Sequence, residues 1–310
     1  MQNLIEGLND KQKEAVLATE GPCLVIAGAG SGKTKVLTHK IAYLISEKNV
    51  KPYNILAITF TNKAASEMKQ RVEKIVGDVA QEMWMGTFHS ICVRILRRFI
   101  DRIGFDTSFL IFDTSDQKTV VKECLKALNI DDKPFSDRSV LSEISNAKNE
   151  MLTPKAYQAK YSGEFRKEKI GQVYELYQKR LRENNAIDFD DIINYTIDIL
   201  SENPDVLQYY TEKFKYVLVD EYQDTNKAQF TLVTILASRY GNITVVGDND
   251  QGIYSFRGAD ISNILNFEKD FPGTKIIKLE QNYRCTGNIL KAANAVIKHN
   301  ENKYEKKLWT

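Results

Sequence analysis

The stretch Cys23–Thr34, CLVIAGAGSGKT, constrains this chain more than any other. Cys23, Leu24, Val25 and Ile26 read as a short buried strand. Gly28, Gly30 and Gly32 then supply backbone that can take positive φ or approach a ligand closely. Lys33 and Thr34 open a helix. Such a turn aims backbone N–H groups inward, and the helix N-terminus adds partial positive charge. The outcome is an anion cradle sized for the phosphates of a nucleotide. Lys33 would reach the β- and γ-phosphates, and the Thr34 hydroxyl would hold Mg²⁺. Ala27 stands where the strict pattern has glycine.

The segments around this stretch repeat a βα rhythm. Asn9 is placed to cap a first helix, with Gln12 three residues on, the spacing of a capping box. After the turn, Leu37, Ile41, Leu44 and Ile45 recur at helical spacing. Ile55–Phe60 is a second apolar strand, and Thr61 and Asn62 cap a helix whose inner face is Ala65, Met68, Val72 and Ile75. Met83–Thr87 is a weaker third strand, followed by a helix bearing Arg94, Arg97, Arg98 and Arg102, which reads as a solvated charged face. The pattern predicts an α/β fold, a parallel sheet covered on both faces. In such sheets ligands sit at the carboxyl ends of the strands, where Thr59, Phe60, Thr61 and Asn62 fall.

From about residue 104 to residue 205 the rhythm changes to helices, with Phe109–Phe112 the one short apolar stretch. This segment reads as a helical domain inserted between strands of the first, with Tyr157, Tyr174 and Tyr177 in its core. Strands then resume at Tyr216–Val219, Ile243–Val246 and Thr274–Leu279, each ending in polar residues. Thr286–Asn300 reads as an amphipathic helix.

A length of 310 residues allows about two domains. The net charge of +2 neither argues for a nucleic-acid partner nor excludes one, so any basic surface must be local. Cys23, Cys92, Cys124 and Cys285 are scattered without a Cys-x-x-Cys pair, which suggests neither zinc nor a disulfide framework. No apolar run approaches membrane length and the first ten residues lack signal-peptide character, so a cytoplasmic location without membrane contact is expected.

An apolar strand ending in two acids is the expected partner of a phosphate loop. Asp220 would hold Mg²⁺ opposite Thr34, and Glu221 would orient or deprotonate the attacking water.

The residues LNDKQ (8–12), AGAGSGKT (27–34), ITFTNKAASEM (58–68), GTFHS (86–90), DFDD (188–191), VDEYQDTN (219–226), VVGDNDQGIYSFRGADI (245–261) and LEQNYR (279–284) occur here in order. In these motifs the chain resembles the N-terminal part of a superfamily 1 DNA helicase of the UvrD/PcrA/Rep type. The resemblance implies a RecA-like, P-loop NTPase core from residues 1–86 and 212–280. It also implies an inserted mostly helical domain over 87–211, and the start of a second RecA-like domain over 281–310. Ala27 is tolerated in that family.

For ATP, the resemblance implies contacts from Gln12 to the adenine edge and from Tyr283 to the base face. Ala27, Gly28, Ala29, Gly30, Ser31, Gly32, Lys33 and Thr34 would hold the phosphates. Gln251 and Arg284 would sense the γ-phosphate, and Arg257 would tie that sensor to the acids. Catalysis would thus rest on Glu221, Lys33, Gln251 and Arg284, with Mg²⁺ on Thr34 and Asp220. Phe60, with Thr61 and Asn62, and His89, Tyr254 and Phe256 would line a path for single-stranded DNA. Gly252 and Phe256 replace a usual serine and tryptophan.

The implied activity is ATP-dependent 3′-to-5′ translocation on single-stranded DNA and unwinding of 3′-tailed duplex, in DNA repair or replication. Most motifs of the second motor domain are absent from these residues. The chain is therefore expected to act as an ATP-binding half with feeble ATPase and no unwinding, and with a poorly anchored segment after Tyr283. Two other classes compete: a small-molecule kinase, which lacks support because no lid-like arginine cluster follows the loop, and a nucleotide-gated module that binds single-stranded DNA without motor activity.

Overall fold

The computed structural model describes residues 4–131, 133–255, 258–300, 304 and 306–310. Its named strands are β1 (Cys23–Ala27), β2 (Ile55–Thr59), β3 (Trp84–Thr87), β4 (Leu110–Ile111), β5 (Ala186–Ile187), β6 (Tyr216–Val219), β7 (Ile243–Gly247) and β8 (Lys275–Leu279). Six of them form one parallel sheet in the order β3-β2-β6-β7-β1-β8. β1, β2 and β7 are buried along their whole lengths, which accounts for their unbroken apolar runs. Register places Val25 beside Val246 on one side and Ile277 on the other. Because every pairing is parallel, the loops after β1, β2, β6, β7 and β8 all leave from one edge.

Chain contacts divide the molecule into two compact units. The first comprises residues 1–91, 208–225 and 233–310, and the second 92–207 and 226–232. In the first, Leu37, Ile41 and Leu44 of helix Lys33–Ser46 and Met68 and Val72 of helix Asn62–Val76 pack into the sheet core, while Ile75 is half-buried. Thr61 caps the latter helix by accepting from Ala64 N at 3.1 Å. Asn9 and Gln12 form the expected capping box at helix Asp10–Leu17.

The second unit is mainly helical, with helices Thr114–Ala127, Asp137–Asn149, Phe165–Glu183 and Phe189–Glu202 as its larger members. Tyr157, Tyr174 and Tyr177 are buried in its core, as expected. β4 pairs with β5 in a short parallel ladder that the apolar pattern only half signalled. The DFDD motif is structural here. Asp188 and Asp191 form a capping box and enclose Lys148, whose Nζ lies 2.6 Å from Asp188 and 2.7 Å from Asp191. Tyr177 donates to Asp188 at 2.9 Å and Gln178 to Asp191 at 3.0 Å. Burial, then the neighbouring Asp188 charge, pushes Asp191 up to about 7.

Two expectations need correction. Arg97 does not belong to a merely solvated face: it donates to Thr107 O and Phe109 O, each at 2.8 Å, and lies over the Phe109 ring. The segment after Tyr283 is also better tied than expected. Helix Gly287–Ile297 buries only Leu290, yet Trp309 bridges to Gln281 in parallel and donates to Glu280 O at 3.0 Å.

Candidate nucleotide site

β1 delivers the chain into its glycine-rich loop at the sheet edge. Gly30 and Gly32 take φ of 72° and 90°, which other L-residues rarely adopt. A Cβ at Gly32 would meet Gln12 Nε2 at 2.7 Å, and one at Gly30 would meet Arg284 Cβ at 2.7 Å. The glycines therefore serve both conformation and close packing. Gly32 stands at the N-cap of helix Lys33–Ser46 and offers no side chain to its first N–H groups, the groups that favour an anion at a helix N-terminus.

The loop is held from beneath. Ser31 Oγ donates to Gly28 O at 2.7 Å, and Gln12 Nε2 donates to Ser31 O at 3.0 Å while its Oε1 accepts from Asn9 N. Gln12, almost fully buried, thus caps a helix and props the phosphate loop at once. From the β8 side, Tyr283 N donates to Gly30 O at 2.9 Å and Asn282 Nδ2 to Ala29 O at 2.5 Å. The Tyr283 ring is exposed, and its hydroxyl accepts from Asn9 Nδ2 at 2.8 Å. Arg284 is exposed beside the loop, and its backbone N–H donates to Asn282 Oδ1.

Opposite stand the acids that close β6. Glu221 Oε2 lies 2.8 Å from Lys33 Nζ. Glu221 has φ 48° and ψ 43°, the left-handed region, which costs a non-glycine residue on the order of 1–3 kcal/mol. Asp220 is buried, and burial followed by the Glu221 charge pushes its carboxyl up to about 6, against a smaller pull from Lys33.

A relay connects these acids to the next strand. Gln223 Nε2 donates to Glu221 Oε2 at 2.9 Å, and Gln223 Oε1 accepts from Asp248 N at 3.0 Å. Asp248 in turn accepts from the Gln251 side chain. Gly247 leaves room for this relay, since a Cβ there would meet Gln223 Oε1 at 2.8 Å. The sequence alone gives Gln223, Asn282 and Asp248 no role. Their place in DEYQD, NYR and GDND was the one available signal.

Among the DNA candidates, Phe60 is half-buried just past β2 and meets Phe88 edge to face at 5.6 Å. Thr61 and Asn62 are exposed at the start of their helix, His89 is half-buried, and Tyr254 is 39% exposed beside Ile253 at 70%. Phe256 and Arg257 lie outside the described residues.

Thr34 and Asp220 offer a hydroxyl and a carboxylate, hard oxygen donors of the kind Mg²⁺ takes. A cation would also offset the cost of burying the Asp220 charge, so these residues fit the ion.

A six-stranded parallel sheet whose edge carries this loop defines a RecA-like phosphate-loop protein. The UvrD/REP helicase N-terminal domain matches residues 8–272, and the chain belongs to that family. It is 58% identical over all 310 residues to the ATP-dependent DNA helicase PcrA of Staphylococcus epidermidis. It is equally similar to the protein of that name from Staphylococcus aureus. The chain spans 42% of the length of these relatives. No helix among the described residues is long and apolar enough to cross a membrane.

Proposed function

We propose that the chain is the ATP-binding half of an ATP-dependent 3′-to-5′ DNA helicase acting in DNA repair or replication in the cytoplasm. The observation that carries the proposal is the 2.8 Å contact between Lys33 and Glu221, which joins the phosphate loop to the acid pair within one unit. In this reading residues 1–86 and 212–280 form the ATP-binding core, 87–211 are an insertion, and 281–310 begin the second motor domain.

Phosphates entering the loop draw Lys33 away from Glu221. The freed carboxylate can then take the proton of the attacking water, while Lys33 offsets the charge on the phosphates. Gln251 and Arg284 face the γ-phosphate, Tyr283 stacks on the base, and Gln12 reads its edge. Thr34 and Asp220 would hold Mg²⁺, which would supply positive charge to offset that of the phosphates. Phe60, Thr61, Asn62, His89, Tyr254 and Phe256 form the track for single-stranded DNA.

The test is ATP hydrolysis by the 310 residues with and without single-stranded DNA. Slow hydrolysis raised by DNA, with no displacement of a strand from a 3′-tailed duplex, is expected. Phosphate transfer to a small molecule, indifferent to DNA, would support a kinase instead. DNA binding that responds to nucleotide without any hydrolysis would leave a nucleotide-gated binding module.

A further inference from the structure

The β7 loop holds a buried cation that the site described above does not use. Lys306 Nζ lies 2.6 Å from Asp248 Oδ1, pairs with Asp250 Oδ2, and donates to Asn249 Oδ1 at 3.1 Å. Its side chain is only 4% exposed, and those of Asp248 and Asp250 are 3% and 7% exposed. Burying a lysine among carboxylates is costly unless every charge is matched, and removing one partner strands the others.

Asp248 is the hub of that loop. Through Oδ1 it meets Lys306 and accepts from Asp250 N at 3.1 Å, and through Oδ2 it accepts from the Gln251 side chain. Its own N–H reaches Gln223, which holds Glu221, which holds Lys33. An unbroken polar chain therefore runs from Lys306 to the phosphate lysine.

Lys306 enters from a segment docked on the phosphate loop itself. A Cβ on Gly28 would collide with Leu308 Cδ2, so Leu308 sits directly on Gly28. The backbone beside it is fixed, with Asn282 N donating to Trp309 O at 2.7 Å and Lys307 N to Glu280 Oε1 at 2.8 Å. The segment thus contacts both the loop expected to hold the phosphates and the loop that carries Gln251.

We propose that Lys306 is a positioning residue for γ-phosphate recognition: it neutralises Asp248 and Asp250 and thereby sets the side chain of Gln251 toward the nucleotide. The inference rests on the nucleotide-site reading above. Without the lysine, two near-buried acids repel each other and any incoming phosphate, and Asp248 no longer has a fixed position from which to orient Gln251. The loss falls on the nucleotide that carries a γ-phosphate.

The experiment measures Mg²⁺-AMP-PNP and Mg²⁺-ADP affinity by calorimetry for the 310-residue chain and its K306M, K306R, Q251A and Q251A/K306M variants. K306M is expected to weaken AMP-PNP about tenfold and ADP less than threefold, and K306R to recover most of the difference. In the Q251A background K306M should add little further discrimination. If K306M does not fold, K306M/D250N removes one stranded acid along with the lysine and is read the same way. Equal weakening of both nucleotides, or no weakening, would overturn the inference. Failure of either nucleotide to bind the unaltered chain would instead overturn the proposed function.

Discussion

Lys33 Nζ and Glu221 Oε2 stand 2.8 Å apart, so the lysine of the glycine-rich loop and the acid that ends β6 offset one another's charge. Glu221 is 38% exposed at its side chain, and partly exposed pairs of this kind contribute about 0–1 kcal/mol. So weak a contact would yield readily to a polyphosphate entering the proposed site.

The first prediction separates binding from chemistry. E221Q keeps size and hydrogen-bonding capacity but cannot accept the proton. Nucleotide affinity should stay within a few-fold, or improve as Lys33 is released, while hydrolysis falls at least about a hundredfold. Single-turnover hydrolysis by E221Q at the unaltered rate would place the base elsewhere.

The left-handed backbone at Glu221 gives a second prediction, on stability alone. E221A and E221G both lose the carboxylate and its bonds to Lys33 and Gln223. Only alanine keeps the steric cost of positive φ, so E221G should be more stable by about 1 kcal/mol in denaturant titrations. Alanine matching glycine would show that the strain has relaxed.

Asp220 makes a pH prediction. Its folded carboxyl is pushed up to about 6 from an ordinary 3.8. Between those values the unfolded chain has released the proton and the folded chain still holds it. This group's contribution to stability therefore falls as pH rises from about 4 to 6 and stays unfavourable above. D220N should raise Tm at pH 7 while removing the Mg²⁺ dependence of nucleotide binding. In the unaltered chain, that Mg²⁺ dependence should weaken as pH drops below about 6. A D220N variant with lower Tm and intact Mg²⁺ dependence would contradict this account.

In the second unit, K148M should strand Asp188 and Asp191 and cost about 3–5 kcal/mol. Urea unfolding followed by signals from that unit is the measurement. A loss below 1 kcal/mol would mean that the buried acids take up protons at little cost.

The proposed DNA track is tested by F60A and Y254A. Each should weaken binding of a single-stranded oligonucleotide by about 1–3 kcal/mol without sequence preference. Affinity should also fall with salt as phosphate contacts are screened. Unchanged affinity in both variants would move the track elsewhere.

What the sequence made legible was local. β1 and its loop, the Asn9–Gln12 capping box and the Thr61 cap depend on residues within a few positions of each other. So do the periodic faces around Tyr157 and Tyr177. What it did not show depends on distant residues meeting. Nothing near Lys306 announces Asp248, and nothing near Arg97 announces the carbonyl of Phe109. Strand Ala186–Ile187 is two residues long, too short for any period, and exists because Leu110–Ile111 pairs with it. Gln223 stood within a recognised motif, but its place between Glu221 and Asp248 arises only once β6 and β7 lie side by side.

In the proposed reading the loop from Gly28 to Thr34, with Lys33 facing Glu221, binds Mg²⁺-ATP. The most direct measurement is calorimetric titration of Mg²⁺-AMP-PNP into the unaltered chain and into K33A. Saturable binding to the first is expected, with affinity at least about tenfold weaker in the second, where the charge that offsets the phosphates is gone. Equal affinity in both would contradict it.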